Sequence, residues 1–283
     1  MQFHQKPTTY VSHVTIKVSS LERSLSFYNE LLGFKILERT TTTASLTTDG
    51  VTAILTLEQP DNAQPKKHRT TGLYHFAILL PTRKDLANFI YHSAEAGLAL
   101  ASADHLVSEA LYFNDPDGNG IEVYRDRAPD TWVWKDAQVE MTVDPLDIED
   151  LLKEGERGAW RGLPVQTVMG HIHLHVTDLS ESKDFYEKGL GFETVSQLGN
   201  QALFISTGNY HHHIGLNTWN GYDAPAPAAD SVGLRSFTVL YPDEEALIRV
   251  VNHLQAIDAF VQMEKDVFYT KDPSGNVIQL KHG

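Results

Sequence analysis

The sequence contains no cysteine, which excludes disulfides, thiolate-held iron–sulfur clusters and a thiol nucleophile. Positive charge is scarce: 23 Lys and Arg stand against 37 Asp and Glu, a net charge of −14. Such a surface repels a phosphate backbone, so nucleic acid is not an expected partner. No apolar run approaches the roughly 18 residues of a membrane-spanning helix. The opening MQFHQKPTTY has no apolar segment after its basic residue and does not resemble a secretory signal. These absences lead to the expectation of a cytoplasmic protein with no membrane partner. What the chain does carry is histidine, 14 in 283 residues, several of them opening β-patterned runs. A hydrophobic content of 41% suffices for buried cores, and the length argues for about two domains.

The chain repeats itself. Ser12–Phe34 aligns without a gap with Gly170–Phe192, sharing nine of 23 positions, among them a His near the start and a closing Leu-Gly-Phe. GLYHFAILLP (72–81) answers GLRSFTVLYP (233–242), and NDPDGNGIEVY (114–124) answers KDPSGNVIQLK (271–281). Internal repetition of this kind marks a tandem duplication. Each half divides again, because HVTIKV, HFAILL, HIHLHV and SFTVLY each open a similar unit. A helical stretch follows, as in LERSLSFYNELL, with Leu21, Leu25, Tyr28, Leu31 and Leu32 on one face. Gly33 and Gly191 stand where such helices would end, and alternating runs separated by Asp-Gly and Gly-Asn turns then read as strands. The unit is strand–helix–several strands, four times over. Between the halves lies a charged, Pro- and Trp-containing stretch with a short helical pattern in DIEDLLKE, expected to pack as a surface linker.

Four such units, with HVTIKV…SFYNELLGF and HLHVTDL…DFYEKGLGF openings, resemble the vicinal oxygen chelate superfamily of glyoxalases, bleomycin- and fosfomycin-resistance proteins and extradiol ring-cleaving dioxygenases. The segment HLVSEALYFNDPDGNGIE is similar to the extradiol signature, supplying His105, Leu111, Tyr112, Asp115, Pro116, Gly118 and Glu122 in order. Ala103 departs from it, where the pattern prefers Gly. In character the chain is similar to the four-module catechol 2,3-dioxygenases of bacilli. The resemblance implies an α+β fold of four βαβββ modules paired into two tandem open-barrel halves. Residues 1–127 would form an N-terminal domain of modules 1 and 2, 128–168 a linker, and 169–283 a C-terminal domain of modules 3 and 4.

In this superfamily paired modules close around one cavity and supply metal ligands from their first and last strands. By resemblance the ligand positions of the N-terminal half fall on His13, His75 and Glu122, two imidazoles and one carboxylate. Such a triad suits Fe(II), because it leaves open positions for a catechol and for dioxygen. A glyoxalase would be expected to carry a second Glu near Leu55. Each residue also has a blander account: a strand-opening His is commonly a satisfied core residue, and a buried Glu122 could pair with an Arg. His105 and Tyr112 are the expected catalytic pair beside the metal, able to hydrogen-bond a bound oxygen and donate to a developing oxyanion. The acid–base His of larger extradiol enzymes has no counterpart in DGVTAILTL of module 1. In the C-terminal copy His171 survives, but His75 corresponds to Ser236, Glu122 to Gln279 and Tyr112 to Tyr269. The HIHLH and YHHHIGLN tracts are expected to line a cavity or an interface, with a second metal site as the alternative.

The expectation is therefore an Fe(II)-dependent extradiol dioxygenase acting on a catechol-type aromatic and dioxygen, and compatible with a homo-oligomer. The alternatives are a metal-dependent glyoxalase or thiol-transfer enzyme, and a non-enzymatic drug- or aromatic-binding protein.

Overall fold

The four opening runs form the strands Tyr10–Lys17, Gly72–Leu79, Val168–His175 and Gly233–Tyr241. These and the residues that follow them constitute modules 1 to 4, and the computed structural model describes residues 2–283. Each opening strand leads into a helix whose start is fixed by a cap: Ser20, Thr82, Asp178 and Asp243 each accept a hydrogen bond from a first-turn N–H. In modules 1 and 3 the helices are short, Leu21–Leu25 and Leu179–Asp184, and pass into π-helical turns, Ser26–Leu31 and Phe185–Gly189. Leu21, Leu25, Tyr28 and Leu32 are buried, as their spacing predicts, while Leu31 is only partly covered. Gly33, at φ +87°, ends the first of these segments in the left-handed conformation that glycine adopts without strain. No helix is long and apolar enough to cross a membrane among the described residues.

The modules are paired into two eight-stranded mixed sheets. The seam of each is an antiparallel contact between two opening strands, but the partners differ from the sequence expectation. Module 1 joins module 4 through Tyr10–Lys17 and Gly233–Tyr241, and module 2 joins module 3 through Gly72–Leu79 and Val168–His175. The boundaries 1–127 and 169–283 thus follow the duplication but not the sheets. All four opening strands carry the same apolar pattern, so the sequence does not distinguish one antiparallel partner from another. The sheets share one hydrophobic core, in which Val14 and Phe237 belong to the first and Phe76 and Ile172 to the second.

The segment expected to be a surface linker is partly internal. Its helix forms at Ile148–Leu152 behind an Asp147 cap and is held to module 2 by Arg83, which pairs with Asp150, Glu154 and the buried Glu109. Upstream, Trp132 and Val139 are buried with Val107, Val195 and Tyr210, so this stretch bridges modules 2 and 3.

Candidate metal centre

Strand register brings the chemistry together. In the sheet of modules 2 and 3, Tyr112 lies opposite Glu122, Glu122 opposite Ala77, and Ala77 opposite His171. One row therefore crosses four strands, about 4.8 Å apart, with the small Ala77 between carboxylate and imidazole. His75 lies two residues before Ala77 and so shares its face. Over the alanine the side chains converge: His75 Nε2 is 3.0 Å and His171 Nε2 3.1 Å from Glu122 Oε2. One ligand atom from each of the three buried residues falls within 4.8 Å of the others. Gly120 sits beside His75 in the parallel register, where a Cβ would come within 2.1 Å of the Tyr74 carbonyl oxygen. Only glycine lets the strands approach there.

The structure thus brings His75 and Glu122 together, but not His13. His13 lies in the other sheet, where its Nε2 shares a 2.8 Å hydrogen bond with Thr56 Oγ1. The third partner is His171 of module 3, the residue equivalent to His13 in the C-terminal copy, and it arrives there because module 2 pairs with module 3.

The site carries the charges that a divalent cation requires. Burial acts to raise the Glu122 pKa, but the two facing imidazoles outweigh it and hold the carboxyl well below its usual range. Burial lowers the His171 pKa, with the Glu122 carboxylate acting against it. His75 Nε2 is buried and makes no hydrogen bond despite its proximity to the carboxylate. An unpartnered buried nitrogen is costly, and a cation between the three groups would satisfy it. The donor set of two imidazoles and one carboxylate suits non-haem iron. Across the seam, the position equivalent to Glu122 is Gly215, which pairs with His173 two residues after His171. Neither this position nor Leu55, which lies in the other sheet, offers a second carboxylate.

The centre opens into a cavity of about 540 Å³ lined by modules 2 and 3 and by Met141, Thr142 and Val143 of the bridging segment. His105 and Tyr112 both line it. The Thr142 carbonyl can only accept, so His105 Nδ1 donates to it at 2.6 Å, and the lone pair on Nε2 accepts from the Tyr112 hydroxyl at 2.7 Å. Burial, then the nearby Glu122 charge, raises the Tyr112 pKa well above its ordinary value, keeping the hydroxyl a donor.

The YHHHIGLN tract supplies a further residue of this cavity, as expected of a cavity-lining histidine, though no role beside the metal was assigned to it. His212 lines the cavity, and its ring centroid lies 4.1 Å from that of His171. Its Nδ1 is 2.8 Å from His211 Nδ1, and His211 Nε2 is 2.7 Å from Asp126 Oδ1. The carboxylate accepts only, so His211 carries its proton on Nε2 and accepts at Nδ1. His212 therefore donates from Nδ1, and its Nε2 carries the lone pair. Burial keeps this imidazole neutral by lowering its pKa well below the ordinary value. His173 also lines the cavity, its Nε2 accepting from the Asn217 amide, whereas His213 donates to the Phe3 carbonyl.

Two segments, residues 10–123 and 168–280, match the family model described as Glyoxalase/Bleomycin resistance protein/Dioxygenase superfamily. The chain belongs to this superfamily. It is 45% identical over 268 residues to the catechol-2,3-dioxygenase of Bacillus subtilis strain 168, covering 94% of each chain. Its fold is similar to that of a Bacillus subtilis protein provisionally named a dioxygenase, with a TM-score of 0.69 at 14% identity over 98% of this chain and 86% of that one. Glyoxalase I of Zea mays follows with a TM-score of 0.60 at 16% identity, over 96% and 92%. The first sheet, of modules 1 and 4, carries the corresponding positions. There Tyr269, Gln279, Thr238 and His13 form the equivalent row. Gln279 donates to Ser236 Oγ at 3.1 Å, so an amide stands in this row where Glu122 stands in the other.

Proposed function

We propose that this protein is a non-haem Fe(II)-dependent extradiol dioxygenase that opens catechol or a substituted catechol with dioxygen. The observation that carries the proposal is the buried His75–Glu122–His171 group, with a single carboxylate, at the floor of a cavity that also holds His105, Tyr112 and His212. The 45% identical relative named for this activity supports it. When bound, ferrous iron supplies one-electron chemistry and open positions for both substrates.

The protein's own groups perform the rest. His212 Nε2, with its lone pair fixed by His211 and Asp126, accepts a proton from a catechol hydroxyl. As negative charge develops on oxygen, the Tyr112 hydroxyl turns its single proton from His105 Nε2 to donate to that oxygen, and His105, anchored on the Thr142 carbonyl, keeps the hydroxyl at the site. Gly215, at the module 3 position equivalent to Glu122, weighs against a glyoxalase with two carboxylate ligands, and the convergence of three buried ligand atoms weighs against a metal-free binder.

Anaerobic loading with Fe(II), followed by oxygen uptake on adding catechol, tests the proposal. Both atoms of isotopically labelled dioxygen should appear in the ring-opened product. Retention of an intact ring, or activity only with zinc or nickel, would remove it.

A further inference from the structure

The residues that form the cavity bear on which catechol it accepts. Among the described residues none of its walls contributes a Lys or an Arg, and its only acidic side chain is Glu122. A divalent cation held by one carboxylate carries a single surplus positive charge, which one catecholate oxygen cancels. A second anionic group on the substrate would enter without a partner, and an unpaired buried charge is among the costliest groups to place. The volume points the same way. A cavity on the order of 150 Å³ accommodates a benzene ring, whereas this one measures about 540 Å³.

The excess space is bounded by uncharged residues, with Ser102, Thr142, Ser196 and Gln197 interspersed among apolar ones. The ligands lie on the central strands of their sheet, and the edge strands Ala101–Asp104 and Glu193–Leu198 contribute Ala101, Ala103 and Leu198 to the walls. Leu198 is 51% exposed and Val143, on the bridging segment, 70% exposed, although both face the cavity. Apolar groups left open beside a cavity are a surface that an apolar ligand can cover.

We infer that the substrate is an uncharged catechol bearing an alkyl or aryl substituent, with the hydroxyls toward His75, Glu122 and His171 and the substituent against Leu198 and Val143. This rests on the ring-cleaving function proposed above. Calorimetric titration of the zinc-loaded protein, in which the ligand binds without reacting, separates the two claims. The probes are catechol, 4-propylcatechol and 3,4-dihydroxyphenylacetate; the last two are similar in size and differ in charge. Propylcatechol should bind about 10-fold or more tighter than catechol, the scale of added methylenes in a hydrophobic pocket. It should bind on the order of 100-fold tighter than the carboxylate, and kcat/KM of the iron-loaded enzyme should follow that order. Leu198→Lys, at a half-exposed edge position, should close the gap by giving the carboxylate a partner. If the carboxylate binds as well as propylcatechol to the unaltered protein, the inference is overturned while ring cleavage stands. If no catechol binds, the proposed function fails and the inference with it.

Discussion

His13 and His171 occupy equivalent positions in their modules, and their neighbours decide what each can do. His171 faces Glu122 and His75, whereas His13 faces Thr56 and, further off, Lys281. His171→Ala should reduce iron affinity by more than about 100-fold, since even losing an outer-shell partner costs roughly 10–100-fold. His13→Ala should leave the iron content unchanged. Metal analysis after dialysis reads the difference, and iron loss in His13→Ala with retention in His171→Ala would reverse the assignment. A second residue-scale test concerns Asp126, whose carboxylate sets the proton order along His211 and His212. Asp126→Asn offers an N–H where only an acceptor stood, which allows both imidazoles to exchange tautomers. Imidazole ¹⁵N–¹H correlation spectra of the zinc-loaded protein should then show the His212 proton moving from Nδ1 to Nε2. Turnover should fall on the order of 100-fold, the lower range for loss of a general base, with iron retained. An unmoved His212 tautomer would make Asp126 a purely structural group.

At the scale of the element, the seam between Gly72–Leu79 and Val168–His175 creates the site, and Ala77 is its floor. Ala77→Leu would fill the space over which Glu122 and His171 converge, so it should abolish iron binding. It should also cost about 1–3 kcal/mol of stability through overpacking. Ala77→Gly should keep the metal, and retention of iron in Ala77→Leu would show that the row does not close as described. The strands, caps and helix face of each module were legible in the sequence because they arise from local pattern. So were His75, Glu122, His105 and Tyr112, which lie within one module and keep their spacing. The histidine tracts holding His171 and His212 read as cavity-lining, but their place beside His75 and Glu122 was not legible, since they join that site only when module 3 meets module 2, and four similar opening strands conceal that choice. A signal was nevertheless present. Module 4 carries Ser236 and Gln279, and module 1 has no late histidine. Counting ligand types module by module, instead of half by half, singles out modules 2 and 3.

At the scale of the whole molecule, the buried histidines tie stability to pH. His4, in the N-terminal segment against module 3, His13 in module 1 and His175 in module 3 all have pKa values lowered from 6.5 to about 4. Burial is the main cause at each, with Lys281 adding to it at His13. Between pH 6.5 and 4 the unfolded chain binds protons at these rings that the folded chain does not, so stability falls as the pH falls through that window. Above pH 6.5 these rings are neutral in both states and contribute no slope. Each is worth on the order of 3 kcal/mol across the window. Three together rival the 5–15 kcal/mol that holds a typical domain folded. The urea midpoint should therefore be flat from about pH 8 to 6.5 and decline steeply toward pH 4. His13→Gln, whose amide can still bond Thr56, should remove one histidine's share of that decline, on the order of 3 kcal/mol, without altering the plateau at neutral pH. Because His13 lies in the sheet without the metal centre, iron content and catechol turnover at pH 7 should not change. An unaltered slope in His13→Gln would mean that this imidazole is already protonated in the folded protein near pH 6, contrary to its burial beside Lys281.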